Sequence, residues 1–291
     1  MNEKVICLLG GLLSVFLTFL SPTNPSALGA ENALILAGQF KMGISMEIIS
    51  DLAELGKKVP HMDLELAYDW FADETPEHTV TVNSFYINEC EVTNRQYREF
   101  INSTGYKSEG NWRKWSDQNK ELHPVVGVTW NDARVYCSWK DMKLPTEIQW
   151  EYAAKGGTKH KLFPWGDNPN PELANYRDQG ESFFEGLIRL MGLRKINTKP
   201  VGSYPPNGYG VYDMIGNVSE WCENRHVRYP GGPVDPNLYE EGRVVRGGSW
   251  DSPNPVFVRI TQRGAFPADS HSYSRGFRCV KTLEEESNDD K

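Results

Sequence analysis

The chain has 291 residues, 39% of them hydrophobic and 24% charged, which suits one large soluble domain or two small ones. Its formal net charge of −8 and the lack of a basic run argue against a nucleic-acid partner. Nine tryptophans, 26 glycines and 18 prolines predict a loop-rich fold anchored by large aromatic side chains.

Residues 1–29 have the pattern of a secretory signal peptide. The apolar run "VICLLGGLLSVFLTFL" follows a short "MNEK", and Ala27 and Gly29 stand at −3 and −1 of a plausible cleavage point. A membrane anchor is the alternative, because the sixteen-residue run falls just short of the usual spanning length. We expect cleavage, which would leave no stable membrane span. We also expect export to an oxidising compartment, periplasmic or secreted.

Two strand patterns precede the first clear helix signal. The stretch "ALILAGQFKMG" predicts a strand that ends at Gly43, and "HTVTVNSFYINECEVT" alternates as a strand does. Between them, residues 45–70 look like an insertion with some helical periodicity.

Capping boxes predict three helices in the middle of the chain. The caps and their partners are Thr93 with Gln96, Thr129 with Asp132, and Thr146 with Gln149. Beyond residue 158 the pattern becomes irregular loop with short strands. The acidic end, residues 283–291, is expected to be a disordered tail.

The exported chain would keep four cysteines: Cys90, Cys137, Cys222 and Cys279. None belongs to a CxxC pair, so a zinc site is poorly supported. Four cysteines allow three pairings, and spacing alone leaves all three open.

The segment "YDMIGNVSEW", residues 212–221, carries a candidate cation site. Asp213 and Glu220 supply carboxylates, and Gly216 with Asn217 lets the chain turn so that carbonyls can point inward. All-oxygen donors suit a hard cation such as calcium. The alternative is a simple turn in which Asn217 is a local hydrogen-bond partner and Glu220 is solvated.

Five segments in this order resemble the sulfatase-modifying factor family, the formylglycine-generating enzymes and their relatives. They are "HPVVGVTWNDARVYCSWKDMKLPTEIQWEYAAKGG", "LFPWGDNPNPELANYRD", "VGSYPPNGYGVYDMIGNVSEW", "VVRGGSW" and "RGFRCV". The resemblance runs from about residue 33 to 282. It implies one α+β domain over residues 30–282, irregular and loop-rich, of the C-type-lectin-like sort.

The resemblance also implies calcium. Family ligands match the side chains of Asp213 and Glu220 and the carbonyls of Gly216 and Val218, which favours the cation site over the simple turn.

A second calcium site of the family begins at positions matching Asn175 and Tyr176. Its other half should contain an aspartate, but the corresponding stretch here is "LIRLMGLRKINTK". The first two ligands match, and the complete second site is not expected.

The enzymes of the family carry a disulfide at positions matching Cys137 and Cys279, so the resemblance implies that bridge here. It leaves the pairing of Cys90 and Cys222 open.

The main departure from the family lies after "GGS". Formylglycine-generating enzymes use two cysteines there to bind copper(I), a soft ion that prefers thiolates. Those positions fall on Ser252 and Phe257, and no cysteine occurs between Trp250 and Gly276. We therefore expect neither copper nor formylglycine formation.

The remaining pocket candidates are Ser249, Trp250, Ser252 and Arg263. In the alternative interpretation, Ser249 caps a turn, Trp250 belongs to the core and Arg263 forms a structural ion pair.

Other catalytic sets are weakly supported. A Ser249–His271–Asp269 triad lacks a GxSxG elbow. An iron site from His226, His271 and Asp269 would imitate the facial triad of non-haem oxygenases. The sulfoxide-forming relatives that use such iron take their histidines from an additional helical domain that is absent here.

Two function hypotheses follow. The first is an exported, calcium-binding accessory protein whose pocket holds a peptide or protein segment, for instance of an exported enzyme. The second is an exported oxidoreductase or modifying enzyme of altered chemistry acting on a peptide-derived small molecule. It would be similar to the periplasmic family members that mature peptide siderophores.

Overall fold

A computed structural model describes residues 32–56, 69–158, 162–177, 198–233 and 239–283. The expected signal peptide, residues 1–29, and residues 284–291 of the acidic tail lie outside the described residues. Within the described ranges, no helix is both long enough and apolar enough to cross a bilayer.

Four α-helices and nine β-strands lie wholly within the described residues. The helices are α1 (Ile49–Leu55), α2 (Asn94–Thr104), α3 (Trp130–Trp139) and α4 (Glu147–Lys155). The first five strands are β1 (Asn32–Ile35), β2 (Gly38–Met42), β3 (His78–Val82), β4 (Phe85–Asn88) and β5 (Ser219–Arg225). The other four are β6 (Arg243–Arg246), β7 (Arg263–Phe266), β8 (Arg275–Gly276) and β9 (Val280–Thr282).

Three small sheets organise these strands, in the orders β1-β4-β9, β2-β3 and β7-β6-β5-β8. All pairs are antiparallel except β5 and β8. This mixture of short strands, separate helices and long loops is the α+β class that the sequence predicted.

Helices α2, α3 and α4 begin at the three predicted caps, and in each both hydrogen bonds of the capping box form. Each box satisfies two backbone groups that a helix start would otherwise leave unpaired. Of the 45–70 insertion, α1 is helical as expected, and residues 57–68 lie outside the described residues.

The two predicted strands are each broken into two. Residues 33–43 form β1 and β2, which belong to different sheets, and residues 78–93 contribute β3 and β4 in the same way. At the breaks, the backbone N–H of Ala37 donates to Oγ of Ser84 over 2.8 Å. This contact joins two corners that are 47 residues apart in the chain.

The four-stranded sheet is covered on both faces. Successive residues of a strand point to opposite faces. Cys222 and Val244 therefore pack into the cluster that contains Trp150 of α4, whereas Trp221 and Val245 pack with α3.

A disulfide fastens α3 to the last strand. It joins Cys137 and Cys279, whose Cα atoms are 5.6 Å apart, and it is the pairing that the family resemblance implied. Cys90 and Cys222 are free thiols.

Candidate functional site

A tight loop follows β6 at Gly247 and Gly248. Both glycines have positive φ, 88° and 64°, which side chains other than glycine rarely adopt. A Cβ at Gly248 would run into the carbonyl oxygen of Phe257, and one at Gly247 would lie 2.8 Å from that of Met214. The "GGS" motif is therefore required by close backbone packing.

Both candidate serines hold this loop together. Ser249 Oγ accepts from the N–H of Asp251 over 3.2 Å, and Ser252 Oγ accepts from the N–H of Ser249 over 3.0 Å. The N–H of Ser252 also donates to the carbonyl of Ser249 over 2.9 Å. This is the turn-capping role that the alternative interpretation gave to Ser249.

Aromatic and charged side chains gather beside the loop in what we call the Trp250 cluster: Trp115, Arg177, Trp250, Asp251 and Tyr273. The Tyr273 ring lies 5.9 Å from the rings of both Trp250 and Trp115. Its hydroxyl donates to Oδ2 of Asp251 over 2.6 Å. Nη2 of Arg177 donates to the carbonyl of Asp251 over 2.9 Å.

The second position matching a copper ligand holds Phe257, at the end of a short 3₁₀ turn that Asn254 caps by accepting from the N–H of Val256. Its ring packs 5.5 Å from the ring of Trp70. Ser252 and Phe257 thus contribute a hydroxyl and a ring where copper(I) would need soft sulfur ligands.

Arg263 is 6% exposed, and its guanidinium group is held by partners outside the Trp250 cluster. Its Nε and Nη2 donate to the two carboxylate oxygens of Glu147 over 2.6 and 2.9 Å. Nη1 donates to the carbonyl of Asp73 over 2.6 Å, and the guanidinium lies 4.2 Å from the centre of the Tyr229 ring. The structural ion pair of the alternative interpretation is what forms.

Glu147 also serves a second buried arginine. Nη1 of Arg246 donates to its Oε1 over 2.7 Å, and Nη2 of Arg246 reaches Glu151 over 2.6 Å. Burial alone would raise the pKa of Glu147, but the guanidinium groups of Arg263 and Arg246 hold that pKa below its usual value.

The segment 212–221 turns through three positive φ angles, 53° at Asp213, 76° at Gly216 and 50° at Asn217. Oδ2 of Asp213 accepts from the N–H of Gly202 over 2.6 Å. The N–H of Gly216 donates to the carbonyl of Gly247 over 2.9 Å, so the candidate cation segment and the "GGS" loop are in direct contact.

Glu220 is 1% exposed, so the alternative in which it is solvated is wrong. Nε and Nη2 of Arg278 donate to its two oxygens over 2.8 and 2.7 Å, and Nε1 of Trp150 donates over 2.9 Å. The carboxylate is therefore fixed in orientation.

Sequence reasoning missed Glu91, a third carboxylate at this place. Its Oε1 accepts from Nδ2 of Asn217 over 2.9 Å, and its Oε2 has no hydrogen-bond partner among the described residues. Burial, followed by the charge of Asp213, raises the pKa of Glu91 well above its usual value. The residue lies 126 positions from Asn217, so no local motif could mark it.

Three carboxyl groups, those of Glu91, Asp213 and Glu220, and one guanidinium group, that of Arg278, interact at this site. Burial raises the pKa of Asp213 to about 6; the N–H of Gly202 and Arg278 oppose the rise, and Glu220 adds to it. The oxygen donors and the orphaned Oε2 of Glu91 fit a hard cation. No three His, Cys, Asp or Glu side chains of the described residues converge as a metal site, so backbone carbonyls must complete any set.

Asn175 lies directly against this segment. Its carbonyl accepts from the N–H of Asn217 over 2.8 Å, and its Nδ2 donates to Oδ1 of Asn217 over 3.3 Å. Tyr176 is buried beside it. Residues 187–197, which would hold most of the other half of a second calcium site, lie outside the described residues.

The histidine candidates are not assembled into a site. Nε2 of His226 pairs with Oδ2 of Asp73 over 2.9 Å in the interior, whereas His271 and Asp269 are exposed in the turn after β7. Within the described residues the iron set is not brought together.

The fold and the site define an α+β domain in which the 212–221 turn contacts a "GGS" loop. The model of the "Sulfatase-modifying factor enzyme 1-like domain" matches residues 19–283. The chain therefore belongs to the sulfatase-modifying factor family.

Individual relatives agree with this assignment. A mouse protein named formylglycine-generating enzyme is 31% identical in an alignment that covers 71% of this chain and 68% of that protein. A mouse protein named inactive C-alpha-formylglycine-generating enzyme 2 is 32% identical, covering 72% and 79%. The solved structure of PvdO from Pseudomonas aeruginosa shares 26% identity with a TM-score of 0.63, covering 86% of this chain and 93% of that one.

Proposed function

We propose that this protein binds a peptide segment of a partner protein at the Trp250 cluster and does not convert cysteine to formylglycine. One observation carries the proposal: the two positions that match copper ligands hold Ser252, whose hydroxyl binds the loop backbone, and Phe257, whose ring packs on Trp70. A likeness to a relative named as inactive is consistent with this.

The cysteines elsewhere cannot replace the missing pair. Cys137 and Cys279 are joined to each other, and Cys222 is fully buried. Burial, followed by the neighbouring Glu91 charge, raises the pKa of the Cys90 thiol, so it stays protonated at neutral pH.

Trp250 itself is buried, 4% exposed, as the alternative interpretation expected, and the partly exposed side chains beside it, those of Trp115, Arg177 and Tyr273, have the composition of a peptide-binding surface. Tryptophan, tyrosine and arginine dominate the binding energy of protein interfaces. The Asp251 carboxylate holds the Tyr273 hydroxyl, and Nη2 of Arg177 lies 3.5 Å from its Oδ1. These groups are therefore oriented before a ligand arrives, which lowers the entropy cost of binding.

The binding test uses a labelled, cysteine-containing peptide with the sulfatase motif, because the family is named for sulfatases. We expect saturable binding by fluorescence anisotropy. Tyr273→Phe should weaken it several-fold, since the Asp251 contact is lost, whereas Tyr86→Phe on β4 should leave it unchanged. Equal affinity in all three proteins, or no binding at all, would refute the peptide site.

The second candidate is an exported modifying enzyme of altered chemistry, favoured by the likeness to PvdO over most of both chains. Metal analysis of the purified protein separates the two candidates. Iron or copper near one equivalent supports the enzyme, and calcium alone supports the binding protein.

We further propose that calcium binds at the 212–221 turn, held by the carboxylates of Asp213 and Glu220 and the carbonyls of Gly216 and Val218. The support is the three carboxyl groups that interact there with one guanidinium group, and the orphaned Glu91 oxygen. Calcium should raise the melting temperature, and Asp213→Asn should abolish that rise. A chelator that leaves the melting temperature of the parent unchanged would contradict the site.

Export is proposed on the Cys137–Cys279 disulfide, because such bonds persist in oxidising compartments. Cell fractionation with N-terminal sequencing tests it, and a mature N-terminus near residue 30 is expected. An intact N-terminus in the reduced, cytosolic fraction would contradict export.

A further inference from the structure

Arg275 is buried, and no carboxylate of the described residues pairs with it. It is 5% exposed, and its guanidinium lies 3.6 Å from the centre of the Phe266 ring and 4.5 Å from that of Trp221. Nη1 donates to Oγ of Ser270 over 3.2 Å, and Nε has no hydrogen-bond partner in the described ranges. Within the described part of the chain it forms no ion pair.

The other buried arginines show what is missing. Arg246, Arg259, Arg263 and Arg278 each form an ion pair with a glutamate. A buried charge is costly unless an opposite charge and hydrogen bonds compensate it. Burial lowers the pKa of Arg275 to about 10, which reflects this lack of compensation. The surroundings of Arg275 therefore suit a guanidinium group whose counter-ion is supplied by another molecule.

Further arginines and rings extend outward from Arg275. Phe266 lies opposite Arg243 in the β6–β7 register, and the Arg243 guanidinium lies 3.8 Å from the centre of the Trp130 ring. Arg134 approaches the same ring at 5.5 Å. We call this row, Arg134, Trp130, Arg243, Phe266 and Arg275, the arginine ladder.

Charge around the ladder is unbalanced in favour of cations. Arg225 lies opposite Arg243 in the β5–β6 register, and the two repel each other. Glu223 is the acidic group that interacts with Arg243 and Arg134. On a chain with a net charge of −8, this is a local basic surface, and the overall charge disfavours a polyanion such as nucleic acid.

The ladder borders an edge strand with exposed apolar side chains. Strand β7 ends its sheet, so one edge of its backbone faces away from β6. Phe266 is 40% exposed, Val227 55% and Tyr239 40%. An extended peptide can add to such an edge, with alternate side chains reaching the neighbouring surface.

We propose that the arginine ladder and the β7 edge bind an extended segment of a partner protein in which acidic and apolar residues alternate. One carboxylate of that segment would pair with Arg275. The site shares no residue with the Trp250 cluster, so it does not depend on the function proposed above.

The test uses the exported chain, residues 30–291, and a labelled peptide of alternating glutamate and valine. We expect saturable binding by fluorescence anisotropy that weakens with salt, and no binding of the matching glutamine–valine peptide. Arg275→Met should weaken binding about tenfold or more, because it leaves a carboxylate unpaired in the complex. The same variant should raise the melting temperature, because an uncompensated buried charge is removed.

A matched control is Arg113→Met, which removes an exposed arginine stacked 4.9 Å from the Trp112 ring. It should leave peptide binding unchanged. Arg134→Gln provides a second ladder variant at an exposed position, and it should weaken binding several-fold.

Three results would overturn the proposal. Unchanged affinity in both ladder variants would show that the ladder does not take part in binding the peptide. A lower melting temperature of Arg275→Met with unchanged affinity would make Arg275 a structural residue. Binding only by a chain that ends at Leu283 would make the chain's own acidic end the occupant, in place of a partner.

Discussion

Glu147 shows how one side chain decides between two interpretations of a motif. Its carboxylate binds both Arg246 and Arg263, so the Arg263 guanidinium group forms the buried ion pair that the sequence had left as the alternative to a pocket role. The spacing of residues in the chain could not show this, because Glu147 and Arg263 are 116 positions apart. Turn-forming roles such as that of Ser249 were foreseeable because their partners are adjacent.

Replacing Glu147 by glutamine should destabilise the protein by about 3–5 kcal/mol, since two buried guanidinium groups lose their shared counter-charge. Glu172→Gln, at an exposed position, should have little effect. Chemical denaturation at neutral pH measures both. Equal stability of the two variants would contradict the structural role of Glu147.

The same carboxylate predicts a pH dependence. Its folded-state pKa lies below the unfolded value of 4.5. The stability it provides is complete above that value and is lost as pH falls through the lower, folded-state pKa. Between pH 6 and pH 3, the free energy of unfolding from denaturation experiments should fall less steeply for Glu147→Gln than for the parent. Parallel curves would show that the ion pairs do not contribute.

At the scale of elements, helix starts were predictable and sheet membership was not. The three capping boxes are local signals, and all three helices begin at them. Each predicted strand, in contrast, changes sheets at its middle, which depends on contacts between distant segments such as Ala37 with Ser84. The glycine pair of the "GGS" loop combines the two situations. The motif is visible in the local sequence, but the need for glycine at position 248 comes from the Phe257 carbonyl, which approaches from elsewhere in the chain.

Gly248→Ala should therefore reduce stability by more than the strain of a left-handed backbone conformation alone would. Gly105 has a similar φ, but a Cβ added there would meet open space, so this glycine offers a matched control. Gly105→Ala should destabilise by about 1–2 kcal/mol from its backbone conformation. Gly248→Ala should cost more, because the Phe257 carbonyl must also move. Similar losses of stability in the two variants, measured by thermal denaturation, would show that the loop can rearrange to accommodate the added methyl group.

The whole molecule keeps the family's fold while the copper positions have changed. Motif order was enough to predict the α+β domain and the Cys137–Cys279 bridge, because both follow from the family resemblance. The carboxyl groups at the 212–221 turn could be predicted only in part. Asp213 and Glu220 lie in one motif, whereas Glu91 joins them only in the folded chain. A domain with so little regular structure depends on such long-range contacts.

The disulfide joins residues that are 142 positions apart, so its loss should destabilise the whole domain. Replacing Cys137 and Cys279 together by serine should lower stability by about 2–5 kcal/mol. Replacing the free, buried Cys222 by serine does not open a loop and serves as the comparison. Equal melting temperatures of parent and double variant, both under non-reducing conditions, would contradict the bridge.

The central claim is that this family member has lost formylglycine formation with its copper thiolates. Its most direct test incubates the purified protein with a cysteine-containing sulfatase-motif peptide, copper and oxygen, and follows the peptide by mass spectrometry. The mouse formylglycine-generating enzyme is the positive control. The structure predicts that the cysteine remains unchanged with this protein, and conversion of that cysteine to formylglycine would contradict the account.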